Sequence, residues 1–125
     1  MLDSINRFRA ARGLASLALH PSLNAAAMQH AQDMAQQGFF DHIGCDGSTV
    51  GDRVMRQGYR FSFVAENLSE GPAAQEEVLN GWIASPSHLL TLTAVQPVHA
   101  GLGWARSPRA DNCAYWVLIV GALLP

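Results

Sequence analysis

Leu2, Ile5 and Phe8 recur at helical spacing, which predicts a short amphipathic helix over residues 2–12 that Gly13 stops. A second helix opens at Pro21, a residue suited to a first turn because its missing N–H has no partner to lose there. Its apolar face carries Leu23, Ala26, Ala27, His30, Ala31, Met34 and Ala35, and it ends at Gly38. So many alanines predict close packing against a neighbouring element. Val50, Val54 and Met55 mark a third, short helix ending at Gly58. Residues 61–69 read as extended, and Pro72 reads as the opening of a fourth helix with Val78, Leu79, Trp82 and Ile83 as its buried stripe. Ser85-Pro86-Ser87-His88 breaks that helix and starts a turn. Two strand signals follow, Val98 to Ala105 and Ala114 to Ala122, joined by the polar stretch 106–112 as in a hairpin.

Helices first and paired strands last, without regular strand–helix alternation, predict an α+β fold rather than a doubly wound sheet. The 125 residues fit one domain, 1–125, with one sizeable core. An apolar content of 49% excludes a mainly disordered chain. Net charge is -2 and the arginines are scattered, with no dense basic run interleaved with aromatics, so nucleic acid is not an expected partner. The longest apolar run, Ala114 to Leu124, is interrupted by Gly121 and falls short of the ~20 residues that span a bilayer. It reads as a buried strand. Near the N-terminus, Asp3, Asn6, Arg7 and Arg9 interrupt any signal-peptide-like apolar region. Cys45 and Cys113 match no zinc-finger spacing. A bridge between them would close a long loop and stabilise a secreted protein by ~4 kcal/mol, but the sequence leaves that pairing open.

Three polar features interrupt apolar surroundings. His42 lies in a turn-rich loop, Phe39 to Ser48, that also holds Asp41, Gly44, Asp46 and Gly47. Glu66 and Asn67 sit in the otherwise apolar extended stretch, and His88 follows the fourth helix. Two neutral imidazoles suit a borderline metal such as zinc, and a nearby carboxylate can orient one ring or hold a water. The bland readings are that Glu66 and Asn67 pin loop backbone through hydrogen bonds. His20 is expected at a helix start on the surface, His30 as a satisfied core histidine, and His99 at a strand entrance. Trp82, Trp104 and Trp116 are expected to be packing residues, and Glu76 and Glu77 solvated charges. Ser87 adjoins His88, but adjacent side chains rarely face one another, which argues against a serine hydrolase.

In order, these features resemble a known family. Asn6-Arg7-Phe8-Arg9, then Leu17 and Pro21-Ser22-Leu23, are similar to an "N-x-x-R … L … P-x-L" opening. Phe40-Asp41-His42 with Asp46-Gly47, and Ala65-Glu66-Asn67-Leu68, resemble its "F-x-H … D-G" and "G/A-E-N" motifs. Arg53 with Gly58-Tyr59 follows the same pattern. Trp82 with Ser85-Pro86-Ser87-His88 resembles "W-x-x-S-P-x-H", and Gly101-Leu102-Gly103 and Tyr115-Trp116-Val117 the closing strands. The chain thus looks like a bacterial member of the CAP superfamily, with an SCP-like domain. The resemblance implies a three-layer α-β-α sandwich with a mainly antiparallel central sheet and an extracellular or periplasmic location, the export segment having been removed. It also implies a cleft lined by His42, Glu66, Asn67, Ser85 and His88, with His42 and His88 as metal candidates. Ser85 stands where eukaryotic members carry a second acid, and Thr91 where bacterial members often carry asparagine. The reading that results is a domain binding a small apolar ligand, a peptide or a divalent metal. The alternative is a zinc-assisted hydrolase (peptidase) with Glu66 as base.

Overall fold

Strand β4 (Cys113–Leu123) divides its side chains between two cores. Tyr115, Val117 and Ile119 belong to one cluster, whereas Ala114, Trp116, Leu118 and Val120 belong to the other. Period-two alternation with both faces covered makes the segment almost continuously apolar. The computed structural model describes residues 1–125 and contains α1 (Leu2–Ala11), β1 (Ala18–Leu19), α2 (Pro21–Gln37), α3 (Val50–Arg56), β2 (Phe61–Pro72), α4 (Gln75–Ile83), α5 (Pro86–Thr93) and β3 (His99–Arg106) before β4. The sheet order is β1-β3-β4-β2. Only β1 and β3 pair in parallel; β3–β4 and β2–β4 are antiparallel. One face packs on Leu23, Ala27, Ala31 and Met34 of α2 and Val54 of α3. The other packs on Ile5 of α1, Val78 and Trp82 of α4, and Leu92 of α5. This is the expected α+β sandwich of three layers.

The alanine face of α2 lies directly on β3 because two glycines let it. A Cβ on Gly101 would stand 2.1 Å from the carbonyl carbon of Leu23, and one on Gly103 would stand 2.2 Å from the carbonyl oxygen of Ala27. Neither fits without moving the helix backbone. At its far end α2 closes on Gly38 in the left-handed region, φ 71°. Arg109, from the β3–β4 connection, donates to the terminal carbonyls of Ala35 and Gln36 at 2.6 and 2.8 Å.

The opening motif is structural. Asn6 exchanges hydrogen bonds with Leu17 in both directions, at 2.9 and 2.8 Å. Arg9, 1% exposed, donates to the carbonyls of Ala15, Leu92 and Ala94, so one buried guanidinium ties α1 to the end of α5. Satisfied carbonyls are what make its burial tolerable.

Two expectations change. Pro72 does not open a helix; it ends β2, opposite Cys113, and α4 begins at Gln75. A proline at the end of an edge strand loses no ladder bond the sheet needs. Ser85-Pro86 is a restart rather than a plain turn, because Pro86 occupies the first turn of the eight-residue α5. Strand β1 has only two residues, too few to register as a pattern. Cys45 and Cys113 are both free, with the Cys45 thiol 3.2 Å from Asp33 Oδ1. No helix is long and apolar enough to cross a membrane.

Candidate functional site

β2 is an edge strand whose side chains reach both helical layers. Val64 and Leu68 join the core under α2 and α3, and Phe63 and Ala65 join the core under α4 and α5. By the same alternation, Glu66 faces the first layer and Asn67 the second. The two layers therefore meet across this edge.

On the first side, the Glu66 side chain is 1% exposed and fully engaged. Its Oε1 accepts from His42 Nδ1 at 2.8 Å and from Arg53 Nη2 at 3.2 Å, and Oε2 accepts from Arg53 Nη2 at 3.0 Å. Arg53 in turn donates through Nη1 to the Ser48 carbonyl at 2.8 Å. The loop carrying His42 is shaped by short local bonds: Asp41 Oδ1 accepts from Ile43 N, and Asp46 Oδ1 accepts from Ser48 N, each at 2.9 Å. Asp46 is held well below the usual carboxylate range, first by Ser48 and then by Arg56. Thr49 and Asp52 form a reciprocal capping box that starts α3 and aims Arg53 at the sheet.

On the second side, Asn67 Nδ2 donates to the His88 carbonyl at 2.9 Å, and Trp82 Nε1 donates to the Leu68 carbonyl at 2.9 Å. Ser85, at the N-cap of α5, gives no hydroxyl bond to the helix backbone. Its Oγ instead meets His88 Nδ1 at 2.8 Å.

Both imidazoles are thus oriented through Nδ1. A carboxylate only accepts, so His42 Nδ1 carries the proton, and Nε2 holds the lone pair when the ring is neutral. Glu66 raises the His42 pKa through that hydrogen bond, with partial burial opposing it. His88 is lowered, first by burial and second by the charge on His42, so the two rings lie within electrostatic reach. His42 keeps 57% of its side chain exposed. No cluster of three or more His, Cys, Asp or Glu is arranged to hold a metal ion.

Four of the five expected cleft residues, His42 with Glu66 and Ser85 with His88, form direct pairs, and Asn67 anchors the backbone of His88. Arg53 is the participant that sequence reasoning did not name as a site residue. Val50, Arg53 and Val54 follow an i, i+3, i+4 pattern, which was the available signal that this arginine turns inward. His30 is a core histidine as expected, 1% exposed with Nε2 on the Asp41 carbonyl at 2.8 Å, though its Nδ1 has no partner. His20 is the α2 N-cap and accepts from Ser22 N through Nδ1.

A four-stranded sheet between two helical layers, with an imidazole pair and a buried carboxylate at its edge, defines an α-β-α domain of the SCP type. Residues 2–120 match the CAP, cysteine-rich secretory protein family, and the chain belongs to it. Among solved structures, an outer surface protein of Borrelia burgdorferi superposes with a TM-score of 0.89 at 23% identity, covering 98% of this chain and 90% of that one. An extracellular SCP-domain protein of Bacillus anthracis gives 0.81 at 26% identity, covering 94% of this chain but 38% of that one. The uncharacterized membrane protein YlbC of Bacillus subtilis is 29% identical over 116 residues. This chain spans only 32% of its length.

Proposed function

We propose that this CAP domain works outside the cytoplasm, in an extracellular or periplasmic setting, as a ligand-binding domain whose cleft presents His42 and His88. The setting rests on relatives described as an outer surface protein and an extracellular protein. The binding role rests on one observation: both imidazoles are oriented through Nδ1, which leaves each Nε2 for an incoming group. A divalent metal such as zinc fits that donor set weakly, since His42 and His88 would hold it without a third strong protein ligand. When bound, it would supply a Lewis acid for a carbonyl or water. The exposed Phe40 and Ile43 on either side of His42 favour an organic occupant with apolar groups, a peptide or a small apolar molecule.

A zinc-assisted hydrolase with Glu66 as base is less well supported. Both Glu66 oxygens are already occupied by His42 and Arg53, and a general base must reach the proton it removes. Zinc calorimetry near neutral pH tests the metal: wild type should bind, and the His42→Ala/His88→Ala double variant should not. Absence of binding by wild type removes the metal from the reading. Casein turnover by wild type that disappears in Glu66→Gln would replace the binding role with the hydrolase.

A further inference from the structure

His20, Tyr59 and His99 form a second cluster of titratable side chains. The His20 ring centroid lies 4.8 Å from that of His99 and 4.9 Å from that of Tyr59. Three stretches of chain meet here: the β1–α2 junction supplies His20, the turn after α3 supplies Tyr59, and His99 is the first residue of β3. Gly121 makes room for the meeting. It pairs with His99 across β3 and β4, and a Cβ there would stand 3.0 Å from Tyr59 Cε1 and 3.1 Å from the Tyr59 hydroxyl.

Both imidazoles use Nδ1 as an acceptor. His20 is the N-cap of α2, and its Nδ1 accepts from the Ser22 N–H at 3.1 Å. A backbone N–H only donates, so that nitrogen carries no proton. Tyr59 is 0% exposed, and its hydroxyl has one hydrogen-bond partner, His99 Nδ1 at 3.0 Å. A buried O–H needs an acceptor, so the phenol donates and His99 Nδ1 is likewise unprotonated. An imidazolium has an N–H at both nitrogens and accepts nothing. Protonating His20 therefore removes the α2 cap and places a positive charge at the positive end of the helix dipole. Protonating His99 leaves the Tyr59 proton without an acceptor.

No carboxylate compensates for either charge. The first turn of α2 holds no acid. The turn after α3 presents Tyr59, whose pKa burial raises, and β4 presents Gly121. On His99, burial lowers the pKa first and the His20 charge second, and no acid opposes them. The contribution of such a ring to stability is present above its unfolded pKa and is lost as pH falls through the folded one.

We propose that His20 and His99 are an acid-sensitive latch: neutral rings hold the first turn of α2 against β3 and the α3–β2 turn, and protonation loosens it. Ser22 Oγ, which donates to the Gln57 carbonyl at 2.9 Å, is a tie at the same corner that protons leave intact. The first turn therefore loosens rather than detaches. The corner adjoins α3, the helix that carries Arg53.

Amide hydrogen exchange of the whole chain, followed by NMR, tests the latch. In the wild type the protection factor of the Ser22 amide should fall about tenfold between about pH 7.5 and about pH 5, as one helix cap is lost. The double variant His20→Asn/His99→Gln keeps an acceptor at each position that takes no proton in this range. Its Ser22 protection should stay constant within about twofold. His30 is also buried on α2, so an acid loss that persists at full size in the double variant would assign the response elsewhere and overturn the latch. Wild-type protection unchanged down to about pH 5 would do the same. Ring-nitrogen NMR of the wild type needs no variant: near neutral pH, Nδ1 of both His20 and His99 should be unprotonated, and a proton on either contradicts the proposal.

Discussion

Glu66 and Asn67 are sequence neighbours that serve opposite layers of the molecule. Glu66 holds His42 and Arg53 beside α3, and Asn67 holds the backbone of His88 on α5. A strand turns successive side chains to opposite faces, and an edge strand leaves room for both layers to converge on it. The acid–amide pair is therefore a two-sided clamp, tying the His42 loop on one face of the sheet and the start of α5 on the other.

The His42–Glu66 bond should set the titration of His42. Glu66→Gln should bring its pKa down toward ~6.5, followed by proton NMR of the ring. In the wild type the folded pKa lies above the unfolded one. Its contribution to stability is therefore complete below the unfolded value and is lost as pH rises through the folded value. His88 has the opposite sign: its folded pKa is depressed, so its contribution is present above the unfolded value and lost as pH falls through the folded one. Zinc affinity measured across this range should rise with pH as His42 deprotonates.

Arg53→Met should be among the most damaging single changes. It strands a carboxylate whose side chain is 1% exposed, a situation that costs about 3–5 kcal/mol. Urea unfolding gives the number. The double variant Arg53→Met/Glu66→Leu should recover much of the loss, because it removes the buried charge together with its partner.

Asn67→Ala removes the one side-chain tie between β2 and the His88 carbonyl. A destabilisation of about 1–2 kcal/mol is expected in denaturant titration. Zinc affinity should fall about tenfold or more, the usual consequence of releasing a group that orients a ligand. Retained affinity would show that α5 is positioned by its packing alone.

Gly101→Ala tests the α2–β3 contact. The added Cβ would overlap the Leu23 peptide group, which is backbone and cannot rotate away. A loss of about 3 kcal/mol is expected, at the upper end for overpacking. By contrast, Gly81→Ala meets nothing within 4 Å and should stabilise α4 by up to about 1 kcal/mol. Thermal unfolding of the pair gives the comparison.

Much of the architecture was legible because local signals agreed. Gly13 and Gly38 end helices where a left-handed residue is needed, and both have φ above 70°. The apolar runs around 98–105 and 114–122 became β3 and β4 within a residue or two. Pro72 was misread because the same residue suits a first helical turn and the last position of an edge strand. Sheet pairing distinguished the two.

The sequence by itself determined the α+β layout and the close packing that the alanines of α2 require. Those depend on side-chain chemistry and short-range periodicity, which a linear pattern contains. His42, Glu66, Asn67, Ser85 and His88 were singled out through ordered motifs that resemble a family, not through periodicity. Only the tertiary structure decided that Glu66 is saturated by Arg53 and His42, and that Asn67 holds a backbone carbonyl. It also decided that the α2 backbone settles on β3 at Gly101 and Gly103, and that His30 and Arg53 are buried with one nitrogen each left without a partner. The hydrogen bonds among these join residues 11 to 24 positions apart, a separation over which periodicity carries no information. The His42–Glu66–His88 trio was visible as a set of residues; the saturation that argues for binding over catalysis was not.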